Sequence, residues 1–159
     1  MRKIKYLVVH CTASPQATSV DSIKRYWKNV MGWEDPGYHV IVKPDGEATV
    51  LAPIERVTNG VKGYNSKSIH ISYIGGVDKN GKPIDNRTTE QKETLLHYLR
   101  KWKQMFPEAV ILGHRDFSPD KNGNGRVDPW ERIKECPCFD AKIEYASQGF
   151  NAITEYQNI

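Results

Sequence analysis

The sequence predicts a single α/β (α+β) domain, a central mixed β-sheet flanked by about three helices. Three observations point there. Short runs of apolar and β-branched residues at 4–10, 38–42, 68–74 and 109–112 have the length and composition of buried strands. Three stretches with helical period or helix-start signals lie between and after them. The strands interleave with those helices rather than segregating, the pattern of helices packed on a mixed sheet. At 159 residues the chain has the length of one domain, and such a domain buries roughly 70% of the surface its unfolded chain exposes. Strand order is not legible in the pattern.

Each element has its own signal. Residues 4–10 read as a buried strand, and 12–18, with Ser, Pro and Thr, as a loop. Ser19 or Asp21 caps a first helix with Ile23, Tyr26, Trp27 and Val30 on one face, and Gly32 ends it. Asp35-Pro36-Gly37 is a turn before a strand at 38–42. Pro44-Asp45-Gly46 is a hairpin turn, with 47–51 as the return strand. A loop at 59–66 precedes the strand at 68–74. Thr88 and Gln91 form a capping box for a helix carrying Leu95, Leu96, Leu99 and Trp102, which Pro107 stops. Asp140 opens a last helix that Gly149 closes.

Composition excludes several classes. Lys+Arg 23 against Asp+Glu 19 gives +4, mildly basic and evenly spread, which does not indicate nucleic acid. No apolar run reaches membrane-spanning length, so no membrane insertion is expected. The amino-terminal apolar run is too short for a signal peptide. The chain is therefore expected to stay in the cytoplasm until released, or to leave by another route. Three cysteines, Cys11, Cys136 and Cys138, are no disulfide framework. A metal is the first hypothesis for such thiols.

Histidine is the commonest metal ligand, and the chain has five. His97, beside Leu96 in a helix, reads as packing or surface. His70, inside a strand, reads as a satisfied sheet residue. His10 ends the first strand and His114 follows the strand at 109–112, so both stand at strand ends, where α/β sites form. Cys136-Pro137-Cys138 supplies a thiolate. Two histidines and one cysteine are an accepted catalytic zinc set that leaves a position for water, whereas a structural site wants four ligands. Spacing alone leaves open whether these cysteines are ligands or buried small hydrophobes.

In order along the chain stand Val8-Val9-His10-Cys11-Thr12-Ala13-Ser14, Gly37-Tyr38-His39-Val40-Ile41, Lys62-Gly63-Tyr64-Asn65, Ser68-Ile69, Gly75-Gly76, Gly113-His114-Arg115 and Cys136-Pro137 with Phe139-Asp140. Together they resemble the zinc N-acetylmuramoyl-L-alanine amidases of the phage-lysozyme type, which share their fold with peptidoglycan recognition proteins. The resemblance covers about residues 5–145. It implies zinc held by His10, His114 and Cys136, with Cys136 chosen because the family pattern runs Cys-Pro-x-Phe-Asp and Cys138 falls on the variable position. It also implies catalytic roles for Tyr38, at the start of the second strand, and Lys134.

The implied reaction is hydrolysis of the amide between N-acetylmuramic acid and L-alanine of peptidoglycan, with zinc activating water and Lys134 and Tyr38 serving the tetrahedral oxyanion. The implied protein is a monomeric, endolysin-like catalytic domain over 1–159 whose partner is peptidoglycan, and its +4 charge suits an anionic wall. The alternative is a non-catalytic peptidoglycan-binding module of the same fold. Such members typically lack the cysteine, so Cys136 favours the enzyme. One departure stands out: where the family often has a histidine three positions before Gly-Tyr-Asn, this chain has Gly60. A substrate contact there is expected to be missing, or taken by Asn59.

Residues 120–131 satisfy the EF-hand loop D-x-[DN]-x-[DN]-G-x5-E. Asp120, Asn122, Asn124, the Arg126 carbonyl, Asp128 and Glu131 would bind Ca²⁺. Shorter members of the family lack this stretch, which reads as an insertion at about 117–133. Asp128-Pro129 is expected to cap a short helix that carries Lys134 toward Cys136.

Overall fold

The structure is a computed structural model that describes residues 2–149, so Met1 and 150–159 of the expected domain lie outside the described residues. Its centre is β1, Tyr6–Cys11, which runs parallel to β4 (Ser68–Tyr73) on one side and to β5 (Val110–Gly113) on the other. β2 (Val40–Val42) lies parallel to β4 on its far side, and β3 (Ala48–Val50) closes that edge antiparallel to β2. The sheet order is β3-β2-β4-β1-β5. The β2–β3 connection is the hairpin expected at Pro44-Asp45-Gly46: the Gly46 N–H donates to the Lys43 carbonyl at 2.8 Å.

Alternation along the strands divides the sheet into two faces. Leu7, Val9 and Cys11 of β1 join Ile69, Ile71 and Tyr73 of β4 and Val40 and Val42 of β2 in one apolar cluster. Helix α2 (Thr89–Met105) lays Leu95, Leu99 and Trp102 on it, and helix α3 (Ala141–Ser147) adds Ala141 and Tyr145. Burial of each such Leu, Ile or Val stabilises by about 1.5–3 kcal/mol. The opposite parity puts His10, Ser68, His70 and Ser72 together, all buried and all polar. Buried polar groups need partners, so this second face commits the sheet to a hydrogen-bonded site.

The start of α2 is the predicted capping box, with Thr88 Oγ1 accepting from the Gln91 N–H and Gln91 Oε1 from the Thr88 N–H, each at 3.0 Å. Asp140 caps α3 through the Ile143 N–H at 3.1 Å. Before α2, Arg87 is buried with a forked set of bonds at 2.8–3.0 Å to Asp85 and to Glu144 of α3, and its guanidinium lies 3.3 Å from the centre of the Phe139 ring. This web ties α3 and the segment after Cys136 to the body of the domain. None of the helices among the described residues is long and apolar enough to cross a membrane.

Two expectations need correction. Helix α1 (Val20–Asn29) is capped by Ser19, but of its apolar face only Trp27 is buried, while Tyr26 and Val30 are exposed. The face borders a cleft instead of the core. The expected helix carrying Lys134 is a single 3-10 turn, Pro129–Glu131. After it the Ile133 N–H donates to Ser118 Oγ at 3.0 Å instead of continuing a helical ladder, so Lys134 lies in a loop.

Candidate metal centre and cleft

The carboxyl ends of β1 and β5 bring the first two ligand candidates together, because the strands are neighbours and parallel. His10 is the fifth residue of β1, and His114 opens the 3-10 turn His114–Phe117 directly after β5. Their ring centroids are 4.9 Å apart. Cys136 arrives from a later segment that three bonds hold in place. The Arg115 N–H donates to the Cys136 carbonyl at 2.8 Å, and the Tyr73 hydroxyl to the Pro137 carbonyl at 2.6 Å. The Cys11 N–H donates to Cys136 Sγ at 3.1 Å. Gly113 matters here for space: a Cβ would sit 2.6 Å from Pro137 Cδ, so only glycine lets the Cys136–Pro137 segment close on the end of β5.

The donor atoms of His10, His114 and Cys136 all lie within 4.8 Å of one another, and Cys136 Sγ is 3.8 Å from His10 Nδ1. Bonds of about 2.0–2.3 Å in a tetrahedral zinc site place ligand atoms roughly 3.3–3.8 Å apart. The three residues fit that ion in donor type, number and spacing. Among the described residues no other His, Cys, Asp or Glu joins the cluster. Cys138, the other thiol candidate, turns away, with its Sγ 3.9 Å from Cys11 Sγ and 3.4 Å from the Gly76 carbonyl. Burial, followed by the charge of Lys134, lowers the His114 pKa to about 4, and burial likewise holds His10 well below its usual value. Both imidazoles are therefore neutral near pH 7, the form that binds metal.

The cluster opens on a cleft of about 580 Å³. Tyr38 and Lys134 line it with the three ligand candidates, and Ile23, Tyr26 and Trp27 of α1 border it. Tyr38 precedes β2 instead of starting it. Its ring stands 5.0 Å from His10 and 5.3 Å from Trp27, and its hydroxyl donates to the Cys11 carbonyl at 3.3 Å. Burial, with the Cys136 thiol second, pushes the phenol pKa upward, so Tyr38 remains a neutral donor. Asn59 also lines the cleft, but its amide is engaged with the Asp35 carbonyl at 3.0 Å.

Sequence reading missed a second layer. His70 Nδ1 is 2.9 Å from His10 Nε2, and His70 Nε2 is 2.9 Å from Asn65 Oδ1. The available signal was the polar alternation Ser68-His70-Ser72 in an otherwise apolar strand, which marks a site-facing stripe.

The 120–131 loop winds as a turn-rich coil. Asp120 accepts from the Gly123 and Gly125 N–H groups at 3.0 and 2.8 Å, Asn122 from Asn124 and Asn124 from Arg126, both at 3.1 Å. Glu131 accepts from Asn122 at 3.1 Å, from Asp128 at 2.8 Å and from Lys121. Asp128 and Glu131 are both buried. The Asp128 carboxylate takes the Asn122 and Asn124 side-chain amides at 3.0 and 2.7 Å and pairs with Arg126.

Comparison with known proteins agrees with this geometry. Residues 1–137 match the N-acetylmuramoyl-L-alanine amidase family. The endolysin of Enterobacteria phage K11 is 35% identical over 133 residues, 83% of this chain and 79% of its own. That of Klebsiella phage KP32 is 34% identical over 137 residues, covering 86% and 82%. In fold, the chain is similar to the N-acetylmuramoyl-L-alanine amidase LysC of Clostridium intestinale, with a TM-score of 0.70 at 19% identity over 94% of this chain and 88% of the other. A match spanning residues 1–137 establishes that the chain belongs to the N-acetylmuramoyl-L-alanine amidase family.

Proposed function

We propose that this peptidoglycan amidase cleaves the bond between N-acetylmuramic acid and L-alanine at a zinc ion held by His10, His114 and Cys136. The observation that carries the reading is the three-donor cluster, three protein ligands on a cleft rather than four in a closed cage. Bound there, zinc supplies Lewis acidity that polarises a carbonyl and activates water.

The chain's own residues do the rest. Tyr38 keeps its proton, and turning its O–H away from the Cys11 carbonyl gives the reacting centre a hydrogen bond. Lys134 brings positive charge to the same cleft, where the oxyanion develops. Each such donor is worth about 2.7–4 kcal/mol of barrier. The α1 wall gives sugar and peptide an apolar surface opposite the polar floor. The thiol of Cys136 favours this enzyme over a non-catalytic binding module. We read the domain as one catalytic unit with an insertion at about 117–133. The phage endolysins it matches support an enzyme held in the cell until release.

Elemental analysis of the purified chain tests the centre. One zinc per wild-type chain, lost in Cys136→Ser, is expected, and a wild-type chain that takes up no zinc overturns it.

We also propose a calcium ion at Asp120, Asn122, Asn124, Arg126, Asp128 and Glu131. The support is the loop's residue pattern, D-x-[DN]-x-[DN]-G-x5-E, with Asp128 and Glu131 both buried. Calorimetric titration of Ca²⁺ decides it, and no heat at millimolar Ca²⁺ removes the proposal.

A further inference from the structure

Gly60 has no side chain, and the structure shows what fills the space beside it. A Cβ built on Gly60 would meet the His70 ring at 2.3 Å from Nδ1 and 2.4 Å from Cγ and Cε1. The backbone of Gly60 is not left-handed, so the restriction comes from the ring and not from φ. The imidazole reaches this volume from strand β4, and from there it touches His10.

The hydrogen bonds around it have one consistent direction. The Val61 N–H, which can only donate, points at Asn65 Oδ1 at 2.7 Å, so that atom is the amide oxygen. His70 Nε2, 2.9 Å from the same oxygen, must then carry a proton. The His70 ring is fully buried with no carboxylate among its hydrogen-bond partners, so it is neutral and its Nδ1 is bare. His10 Nε2, 2.9 Å away, must donate to it. That leaves His10 Nδ1 without a proton, facing Cys136 Sγ at 3.8 Å.

We propose that His70 is a positioning residue of the metal centre: seated in the space Gly60 vacates, it accepts the Nε2 proton of His10 and so presents a bare His10 Nδ1 to the metal. Asn65 anchors the relay, and its oxygen is fixed by the Val61 backbone. This rests on the zinc reading above. Partners that set a ligand's tautomer typically change metal affinity or activity 10–100-fold when removed. Here the partner is a second histidine contributed by a neighbouring strand.

Two measurements test it. Long-range ¹H–¹⁵N NMR of the metal-free wild-type chain reads histidine tautomers directly. The expected spectrum shows His10 protonated at Nε2 and bare at Nδ1, and a His10 protonated at Nδ1 overturns the proposal. Zinc affinity by chelator competition is the second. His70→Phe keeps a ring in the same space but offers no acceptor, and about 10–100-fold weaker binding is expected. His70→Gln, whose side-chain oxygen can accept from His10, is expected nearer the wild-type value. His70→Phe binding zinc as tightly as wild type shows that the ring only fills space and overturns the proposal. A wild-type chain that binds no zinc refutes the underlying metal reading instead, and the NMR experiment still decides the tautomer.

Discussion

Replacing Arg87 should destabilise the domain more than any surface charge change. Its side chain is only 2% exposed, while its partners Asp85 and Glu144 are 30% and 33% exposed. In Arg87→Ala those carboxylates can rehydrate in part, which keeps the loss toward the lower end of the ~3–5 kcal/mol typical of breaking a fully buried pair. About 2 kcal/mol for the charge-assisted bonds and about 1–2 kcal/mol for the contact with Phe139 give roughly 3–4 kcal/mol. In a domain this size that lowers Tm by about 6–16 °C. Arg87→Lys keeps the charge but not the fork that reaches two carboxylates, so it should lose about 2 kcal/mol. Urea denaturation with a two-state fit, repeated by calorimetry, measures both. A loss under about 1 kcal/mol in Arg87→Ala would refute the reasoning, because the web would then be open to water in solution.

Other outcomes follow from the same geometry. Gly113→Ala places a methyl group against Pro137 and should push Cys136 away from His114, lowering stability by about 1–3 kcal/mol and weakening zinc binding; unchanged zinc affinity would show that the close approach does not set the site. Tyr38→Phe and Lys134→Met should each cut turnover about 10²–10³-fold while zinc content stays at one per chain, and unaltered turnover removes the role assigned. Metal-free protein should lose stability as pH falls. Burial lowers the His39 pKa to about 4 from 6.5, so between those values the unfolded chain binds the proton and the folded chain does not. Its share of the loss reaches about 2 kcal/mol by pH 5. Equal stability at pH 7 and pH 5 would contradict that.

Much of this was legible in the sequence, for identifiable reasons. The capping box Thr88–Gln91, the hairpin turn at Pro44–Gly46 and the apolar strands are local signals, and local chemistry decides them. His10 and His114 were readable as strand-end residues, and the structure adds that their strands are adjacent and parallel. Where reading failed, tertiary context won. The Ile23-Tyr26-Trp27 face has core periodicity, yet its position beside the cleft leaves it largely uncovered. Asp128-Pro129 is a sound helix start, but a bond to Ser118 diverts the chain after one turn. The pairing of Gly60 with His70 depends on a ring crossing from β4 into a loop, which no spacing rule contains.

Amide hydrolysis is the reaction proposed for the His10–His114–Cys136 centre. Its most direct test is mass spectrometry of peptidoglycan incubated with the zinc-loaded chain, beside the chelated chain and Cys136→Ser. Stem peptides with a free amino-terminal L-alanine are expected from the zinc-loaded wild type alone. Intact muropeptides from that sample, or the same peptides from Cys136→Ser, would contradict it.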